Sequence, residues 1–307
     1  MTARRGFALP ELLISVLLLA IVGGAISEGL RRQQQVFRSI ALLTSVRGDA
    51  HDAAEVLVAD LSAASPLDTL PLALDSAVEF YSLIGASVSC DSAPEYQIAM
   101  PPEKLRSGIR LTTLLASPDS GDVLLVFNHD SAATAGEPRW ERHAVAAVSS
   151  APSTTVCPPS TGFTSAADVN TPAYVITLSG AVSGAIGRGA PVRILRRTRY
   201  SLYRASDSRW YLGQRRCSPL GAPACGAIQP VSGPYMAYAG SGGQSGIGLR
   251  YFDGAALPVW SSGGTTRVAL VEVIVRTRTP IPVRPGGARS AAYIDSTSLS
   301  VALRNRD

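Results

Sequence analysis

The chain has 307 residues, of which 46% are hydrophobic and 17% are charged. This composition excludes a disordered chain, which needs low hydrophobicity and high charge, and the length allows one large domain or two small ones. A polytopic membrane protein is also excluded, because only residues 7–26 form an apolar run of the roughly 18 residues that a spanning helix needs. The formal charge is +5, and every basic residue except Lys104 is an arginine.

The N-terminus is the most informative segment of the sequence. Arg4 and Arg5 precede the apolar run, an arrangement typical of a secretory signal, although no small-residue cleavage site follows it. The run also contains Glu11. A carboxylate in a spanning helix costs about 2.5–3.5 kcal/mol at the centre and less towards an end. The position of Glu11 therefore needs a physical reason.

Cleavage between Gly6 and Phe7 would supply that reason. The new amine of Phe7 would lie one helical turn from Glu11, and an ammonium and a carboxylate can neutralise each other in apolar surroundings. The motif from Gly6 to Glu11, with its basic leader and apolar helix, resembles the prepilin cleavage and methylation motif of type IV pilins and type II secretion pseudopilins. The resemblance implies that Gly6 is the cleavage site, Phe7 the methylated N-terminus and Glu11 the residue that guides assembly.

The resemblance also implies partners and a location. A prepilin peptidase would process the chain, an inner-membrane assembly platform would incorporate it, and other pilin or pseudopilin subunits would pack against its N-terminal helix. Before assembly it would span the inner membrane once with its head in the periplasm, because Arg4 and Arg5 mark the cytoplasmic side. After assembly it would lie in a pilus or at the cell surface.

The residues after the apolar run predict that the helix continues. Residues 28–61 contain no proline, and an apolar stripe recurs at helical spacing except where Arg47 interrupts it. The stripe consists of Val36, Ile40, Leu43, Ala50, Ala54, Leu57 and Leu61. We expect a leader over residues 1–6 and one helix over 7–64, with its membrane-spanning half at 7–27. Ser65 should end it, because a residue before proline disfavours the helical region.

Residues 65–307 predict a β-rich globular head. Short β-prone runs are separated by Gly, Pro, Ser and Asp and are not interleaved with helical patterns, which favours antiparallel pairing. The expected strands are 78–84, 108–114, 122–127, 142–148, 174–178, 192–203, 209–212, 247–252, 268–278 and 297–303. Residues 151–172 and 217–246 are expected to be loops. The predicted fold class is α+β, with a long N-terminal helix packed on a mostly antiparallel C-terminal head.

The order of the last strands carries a second, weaker resemblance. Residues 248–254, 267–278 and 298–304 are similar to the C-terminal half of PilW-type minor pilins and J-type pseudopilins. This resemblance implies a PilW-type or J-type subclass. Because the head is large and rich in loops, we expect a minor subunit at the tip or in an initiating complex instead of the bulk subunit.

Four cysteines follow the apolar segment: Cys90, Cys157, Cys217 and Cys225. In an exported chain this even number predicts two disulfides, and in a cytosolic chain it predicts buried thiols. Cys217 and Cys225 enclose seven residues with two prolines and a glycine, which suits a small disulfide loop and leaves Cys90 with Cys157 by elimination. Three connectivities exist, and the sequence leaves the choice among them open.

We assign no catalytic residue, metal site or cofactor from the sequence. His51, His129 and His143 form no pair with metal-ligand spacing, and His129 beside Asp130 lacks the G-x-S-x-G motif of a hydrolase. The glycine-rich segment 240–246 lacks the Lys-Ser/Thr ending of a phosphate loop and precedes a strand. A flexible hairpin loop is the favoured interpretation of that segment.

One cluster of basic residues lies beside aromatic ones. It comprises Arg193, Arg196, Arg197, Arg199 and Arg204, near Tyr200, Tyr203, Trp210 and Tyr211. A solvated strand face with tyrosines packing inward is the favoured interpretation. DNA contact is the alternative, since arginines and aromatic rings can bind phosphate and stack on bases, but the small net charge disfavours it.

The sequence thus predicts a structural minor-pilin-like subunit, not an enzyme, that is processed after Gly6 and assembled into or at the tip of a filament. A minor pseudopilin of a type II secretion system is the alternative within the same family. A membrane-anchored β-rich binding protein that never polymerises and an exported enzyme with a cryptic site are the alternatives from other classes.

Overall fold

A computed structural model describes residues 9–64, 70–91, 96–128, 139–182, 186–220, 225–240, 242–259, 268–283 and 291–303. Its first element is a long helix, α1 (Leu9–Ser62), and a head built mostly of antiparallel strands follows. The α+β layout expected from the sequence is therefore confirmed. The expected leader and the expected helix stop at Ser65 lie outside the described residues.

Only the C-terminal part of α1 packs on the head. Its buried side chains follow one stripe at helical spacing: Val46, Ala50, Ala53, Ala54, Leu57 and Leu61. Val36 and Ile40 were expected in this stripe but are 56% and 54% exposed, because the head does not reach that far along the helix. Arg47, which was expected to interrupt the stripe, is exposed, and the neighbouring Val46 is buried against the core.

The described head contains thirteen strands, one short α-helix and two 3-10 helices, Pro159–Thr161 and Ala166–Asp168. The strands are β1 (Leu72–Ala73), β2 (Ala77–Val88), β3 (Gln97–Met100), β4 (Thr113–Leu114), β5 (Val123–Asn128), β6 (Arg139–Pro152), β7 (Pro172–Leu178), β8 (Pro191–Arg204), β9 (Trp210–Cys217), β10 (Gln229–Tyr235), β11 (Ile247–Phe252), β12 (Leu270–Arg278) and β13 (Ile294–Ala302). The short helix α2 (Ser153–Val156) follows β6.

The ten strands β1 to β10 form one large sheet around the long pair β2 and β8. One edge of β8 pairs with β2, and its other edge pairs with both β5 and β9. Residues 192–195 of β8 pair with β5, and residues 197–204 pair with β9. The sheet continues from β5 through β6 and β7 to β3, and from β9 to β10. The last strands form a separate sheet in the order β11-β12-β13.

The main core joins α1 to both sheets. Leu57 and Leu61 of α1 belong to one buried cluster with Phe80 of β2, Leu212 of β9 and Val273 of β12. Alanines on the buried stripe of α1 let the backbones of helix and strands approach closely. A second core, which includes Leu124 and Ile176, lies under β5, β6 and β7.

Three expectations about the strands were wrong. Residues 108–114 were expected to form one strand, but only β4 does, because Gly108 has a φ of 84° and donates to the carbonyl of Leu105 in a turn. Residues 217–246 were expected to be a loop but contain β10, which tolerates Pro230 and Pro234 because it pairs with only one strand of its sheet. The short edge strands β1 and β3 were not expected, and the loop expected over 151–172 contains α2 and the two 3-10 helices. Each of the other expected strands overlaps a strand of the structure.

Tyrosine hydroxyls of the strands donate hydrogen bonds to α1. Tyr200 of β8 donates to the carboxylate of Asp60, and Tyr235 of β10 donates to the carbonyl of Asp49 at 3.1 Å. Burial raises the pKa of Tyr235 to about 12 and raises the pKa of Tyr200 as well. These protonated hydroxyls therefore link helix and head at neutral pH.

We expect the free energy of unfolding to fall as the pH rises above about 10. A tyrosine of the unfolded chain ionises near pH 10, whereas Tyr235 of the folded chain stays protonated until about pH 12. The folded state then binds more protons, so a contribution that is full below pH 10 is lost as the pH approaches 12. Denaturant titrations at pH 8 and pH 11, followed by tryptophan fluorescence, measure the loss. Tyr235→Phe should reduce it, and an unchanged pH dependence in that variant would contradict the assignment.

Candidate functional site: the exposed half of the N-terminal helix

The described side chains in the N-terminal half of α1 are not covered by the head. Every side chain from Leu12 to Arg38 is exposed, and the large apolar ones up to Ile26 are 55–76% exposed. At 1.5 Å per residue this segment is about 40 Å long. Its apolar part, from Leu12 to Ile26, is about 22 Å long and needs a lipid or protein environment to cover it.

The composition of this half changes near Ile26. Up to that residue the side chains described from Leu12 on are apolar or small, with Ser15 as the polar exception, and charges begin at Glu28, which forms an ion pair with Arg32 at 2.9 Å. By length and composition α1 is able to cross a membrane, and it is the one such helix in the described part of the chain. This helix is compatible with a membrane anchor.

The residues of the N-terminal motif lie at or beyond the start of α1. Gly6 and Phe7 are outside the described residues, and Glu11 belongs to α1 by its backbone, while its side chain is outside the description. Along the helix axis Glu11 is about 50 Å from Val46, where α1 becomes buried. Glu11 and the head therefore lie at opposite ends of the helix.

The four cysteines form two disulfides within the head. Cys90 pairs with Cys157 across 67 positions of sequence, with Cα atoms 5.3 Å apart, and joins the end of β2 to the end of α2. Cys217 pairs with Cys225 across eight positions and closes a small loop after β9.

The small disulfide lies over a buried acidic residue that the sequence did not reveal. Glu79 of β2 is fully buried, and its carboxylate binds Arg197 and Arg199, the latter at 2.6 Å. The Sγ atoms of Cys217 and Cys225 are 3.7 and 4.0 Å from Glu79 Oε2. These three residue types could hold a metal, but here the sulfurs are bonded to each other and the carboxylate is occupied by guanidinium groups. The cluster is therefore an ion-paired structural element.

A second buried carboxylate binds two further arginines. Asp122 accepts hydrogen bonds from Arg196 at 2.8 Å and from Arg216 at 3.1 Å. Arg216 also bonds Asp119 at 2.8 Å and lowers the pKa of that carboxyl group. The arginine cluster was expected to be a solvated strand face. This was wrong for Arg196, Arg197 and Arg199, whose side chains are only 20%, 21% and 31% exposed because they bind the buried carboxylates of Asp122 and Glu79. Alternation along β8 places Arg196 and Arg197 on opposite faces.

The other residues considered for chemistry are not brought together. His51 lies exposed on α1 and contacts Glu55 at 2.9 Å. His143 has a buried Nε2 atom 3.5 Å from Glu141 Oε2. His129 and Ser241, the latter in the glycine-rich segment, are outside the described residues. Among the described residues these groups form no nucleophile–base arrangement.

No protein-family model, curated protein or solved structure matches this chain. The functional conclusion consequently depends on the N-terminal motif and on the geometry of α1. The exposed, apolar part of this helix is the described surface that most needs lipid or another protein to cover it.

Proposed function

We propose that this chain is a structural, minor-pilin-like subunit of a type IV pilus. A prepilin peptidase would cut it after Gly6, methylate Phe7 and leave it for incorporation into a filament or at its tip. The observation that carries the proposal is the exposed apolar part of α1 from Leu12 to Ile26, about 22 Å long, directly after the motif from Gly6 to Glu11. The head then serves as the displayed part of the subunit.

The helix suits two successive environments. Before assembly, its apolar part would lie in the bilayer and leave it near Glu28, and α1 would become buried on the head about 27 Å further along the axis, at Val46. On assembly, neighbouring helices would replace lipid as the cover of the same surface. Glu11 would then pair with the amine of an adjacent subunit, because a carboxylate in an apolar environment needs a cation beside it.

A minor pseudopilin of a type II secretion system is the second candidate. The antiparallel order β11-β12-β13 supports this candidate as much as the first one, since the resemblance of these last strands includes both PilW-type minor pilins and J-type pseudopilins. The two candidates differ in the filament with which the native chain copurifies.

The first test is the N-terminus of the native protein. Mass spectrometry of chain isolated from membranes should find a methylated Phe7 at the N-terminus, and Gly6→Val should leave the leader attached. Gly24→Val is the matched control, because a side chain at Gly24 meets no described atom within 4 Å and this glycine is not in the motif. An intact Met1, or a cut after Gly24, would identify a membrane-anchored binding protein or a secreted one instead.

The second test is the charge of Glu11. Glu11→Ala should leave membrane insertion intact and lower the share of the chain found in sheared filaments by about tenfold or more, because it removes the partner of the amine. Quantitative immunoblots of membrane and filament fractions measure both effects. Glu28→Ala is the control, since Glu28 is exposed and already paired with Arg32. Normal incorporation of Glu11→Ala would contradict the assembly role.

A further inference from the structure

The outer face of the large sheet, turned away from α1, carries a group of arginines. Residues directly opposite each other in an antiparallel ladder share a face, and alternate residues of a strand do so too. By these pairings five arginines share one face: Arg142, Arg193, Arg197, Arg199 and Arg215. We call this surface the arginine face. Its described acidic residues include Glu79, which is buried beneath Arg197 and Arg199, and Asp207, which accepts a hydrogen bond from Tyr211 at one end of the face. The five arginines outnumber these two carboxylates, so the face is cationic.

Four of these side chains are already held in place. The guanidinium of Arg142 lies 4.1 Å from the ring centroid of Tyr81, and that of Arg193 lies 4.6 Å from the ring centroid of Trp140. Arg197 and Arg199 are fixed by the buried carboxylate. Pre-ordered side chains lose little entropy on binding, and Arg, Trp and Tyr are the residues most enriched at the energetic centres of protein interfaces. The arginine face thus has the composition of a protein-binding surface.

The exposed side of α1 next to the head carries more acidic than basic side chains. Asp52 and Glu55 are exposed between the small residues Gly48 and Ala59, which are also exposed. Beside them, His51 contacts Glu55 at 2.9 Å, and the exposed Arg47 pairs with Asp295 at 3.4 Å. We call this surface the acidic face. Burial raises the pKa of Asp49, and the neighbouring Asp52 raises it further.

The two faces lie on opposite sides of the head. Asp60 of α1 contacts Tyr200, which points to the inner side of the sheet. Glu79 and Arg199 alternate with the inward residues and point to the outer side. One copy can therefore offer its acidic face to the arginine face of another copy, whereas it cannot bring its own two faces together.

We propose that a second copy of this chain docks its acidic face on the arginine face, so that heads associate head to tail. The charges of the two faces are opposite, which steers the encounter and selects the register. Because the faces differ, the contact is heterologous and leaves one free face at each end of the assembly. This inference goes beyond the proposed function and does not depend on cleavage after Gly6.

The test uses two full-length copies with different affinity tags, coexpressed and purified together in detergent. In variant A, Arg193→Glu and Arg215→Glu reverse the arginine face. In variant B, Asp52→Arg and Glu55→Arg reverse the acidic face. A with A, and B with B, should copurify about tenfold less than two wild-type copies, because like charges then meet. A with B should copurify as well as wild type, because one intact face of each kind remains.

Salt and matched variants separate this contact from association through the apolar helix. Wild-type copurification should fall between roughly 50 mM and 500 mM salt, since screening weakens exposed charge pairs. Arg188→Glu with Arg250→Glu makes the same charge change at exposed arginines away from the arginine face and should have no effect. Arg197 and Arg199 are left unchanged so that Glu79 keeps its partners.

Two results would overturn the proposal. One is copurification of A with A at the wild-type level. The other is failure of A with B to associate while both variants unfold at the wild-type denaturant concentration. If either double variant unfolds early, the single changes Arg215→Glu and Glu55→Arg take their places, and restored copurification of that pair is again required.

Discussion

Glu79→Ala is expected to lower the free energy of unfolding by about 3–5 kcal/mol, the range for breaking a buried ion pair. The carboxylate of Glu79 is fully buried, while the side chains of Arg197 and Arg199 are only 21% and 31% exposed. Its removal leaves two partly buried guanidinium groups without their partner and opens a cavity beside the disulfide of Cys217 and Cys225. Both effects destabilise the folded state and neither stabilises the unfolded chain.

Denaturant unfolding of the full chain in detergent, followed by tryptophan fluorescence, measures the change. Glu272→Ala is the matched control, because Glu272 pairs with the exposed Arg250 at 3.3 Å. An exposed pair contributes at most about 1 kcal/mol. Equal losses from Glu79→Ala and Glu272→Ala would show that the buried cluster does not stabilise the head.

Removal of the long-range disulfide is expected to have an effect of similar size. Cys90→Ala with Cys157→Ala opens a loop across 67 positions, and loop-closure entropy predicts a loss of about 4 kcal/mol. Cys217→Ala with Cys225→Ala opens a loop across only eight positions and should cost about 2.5 kcal/mol. Larger loops cost more because the unfolded chain regains more freedom when the link is absent.

The second pair of substitutions serves as the control for the first. Both remove two sulfur atoms from the head, so the difference between them isolates the length of the closed loop. Denaturant titrations under identical buffer conditions give the two free energies. A larger loss from Cys217→Ala with Cys225→Ala than from Cys90→Ala with Cys157→Ala would contradict the loop-closure account and point to packing around Glu79.

The helix and most strands were predictable because their signals are local. An apolar run and a stripe with a period near 3.6 residues specify α1. Alternating β-prone residues bounded by turn formers specify strands such as β11, whose expected and observed bounds coincide at 247–252. The candidate site was visible for the same reason, since the motif from Gly6 to Glu11 and the apolar run are contiguous in sequence.

Other features depended on residues that only the folded chain brings together. Arg197 and Glu79 are 118 positions apart, and nothing near either one in sequence indicates the pairing. β10 forms despite two prolines because β9 offers it an edge. The point at which α1 becomes buried, Val46, is set by how far the strands of the head extend along the helix.

Local patterns decide the type of an element, because backbone sterics and the spacing of apolar side chains act over a few residues. They do not decide which elements meet. Here the apolar run and the motif already indicated a helix that needs a partner at its N-terminal end. Only the pairing of β8 with β2, β5 and β9, and of β5 with β6, placed five arginines on one face and buried a single carboxylate beneath two of them, because that arrangement depends on the register between strands far apart in the chain.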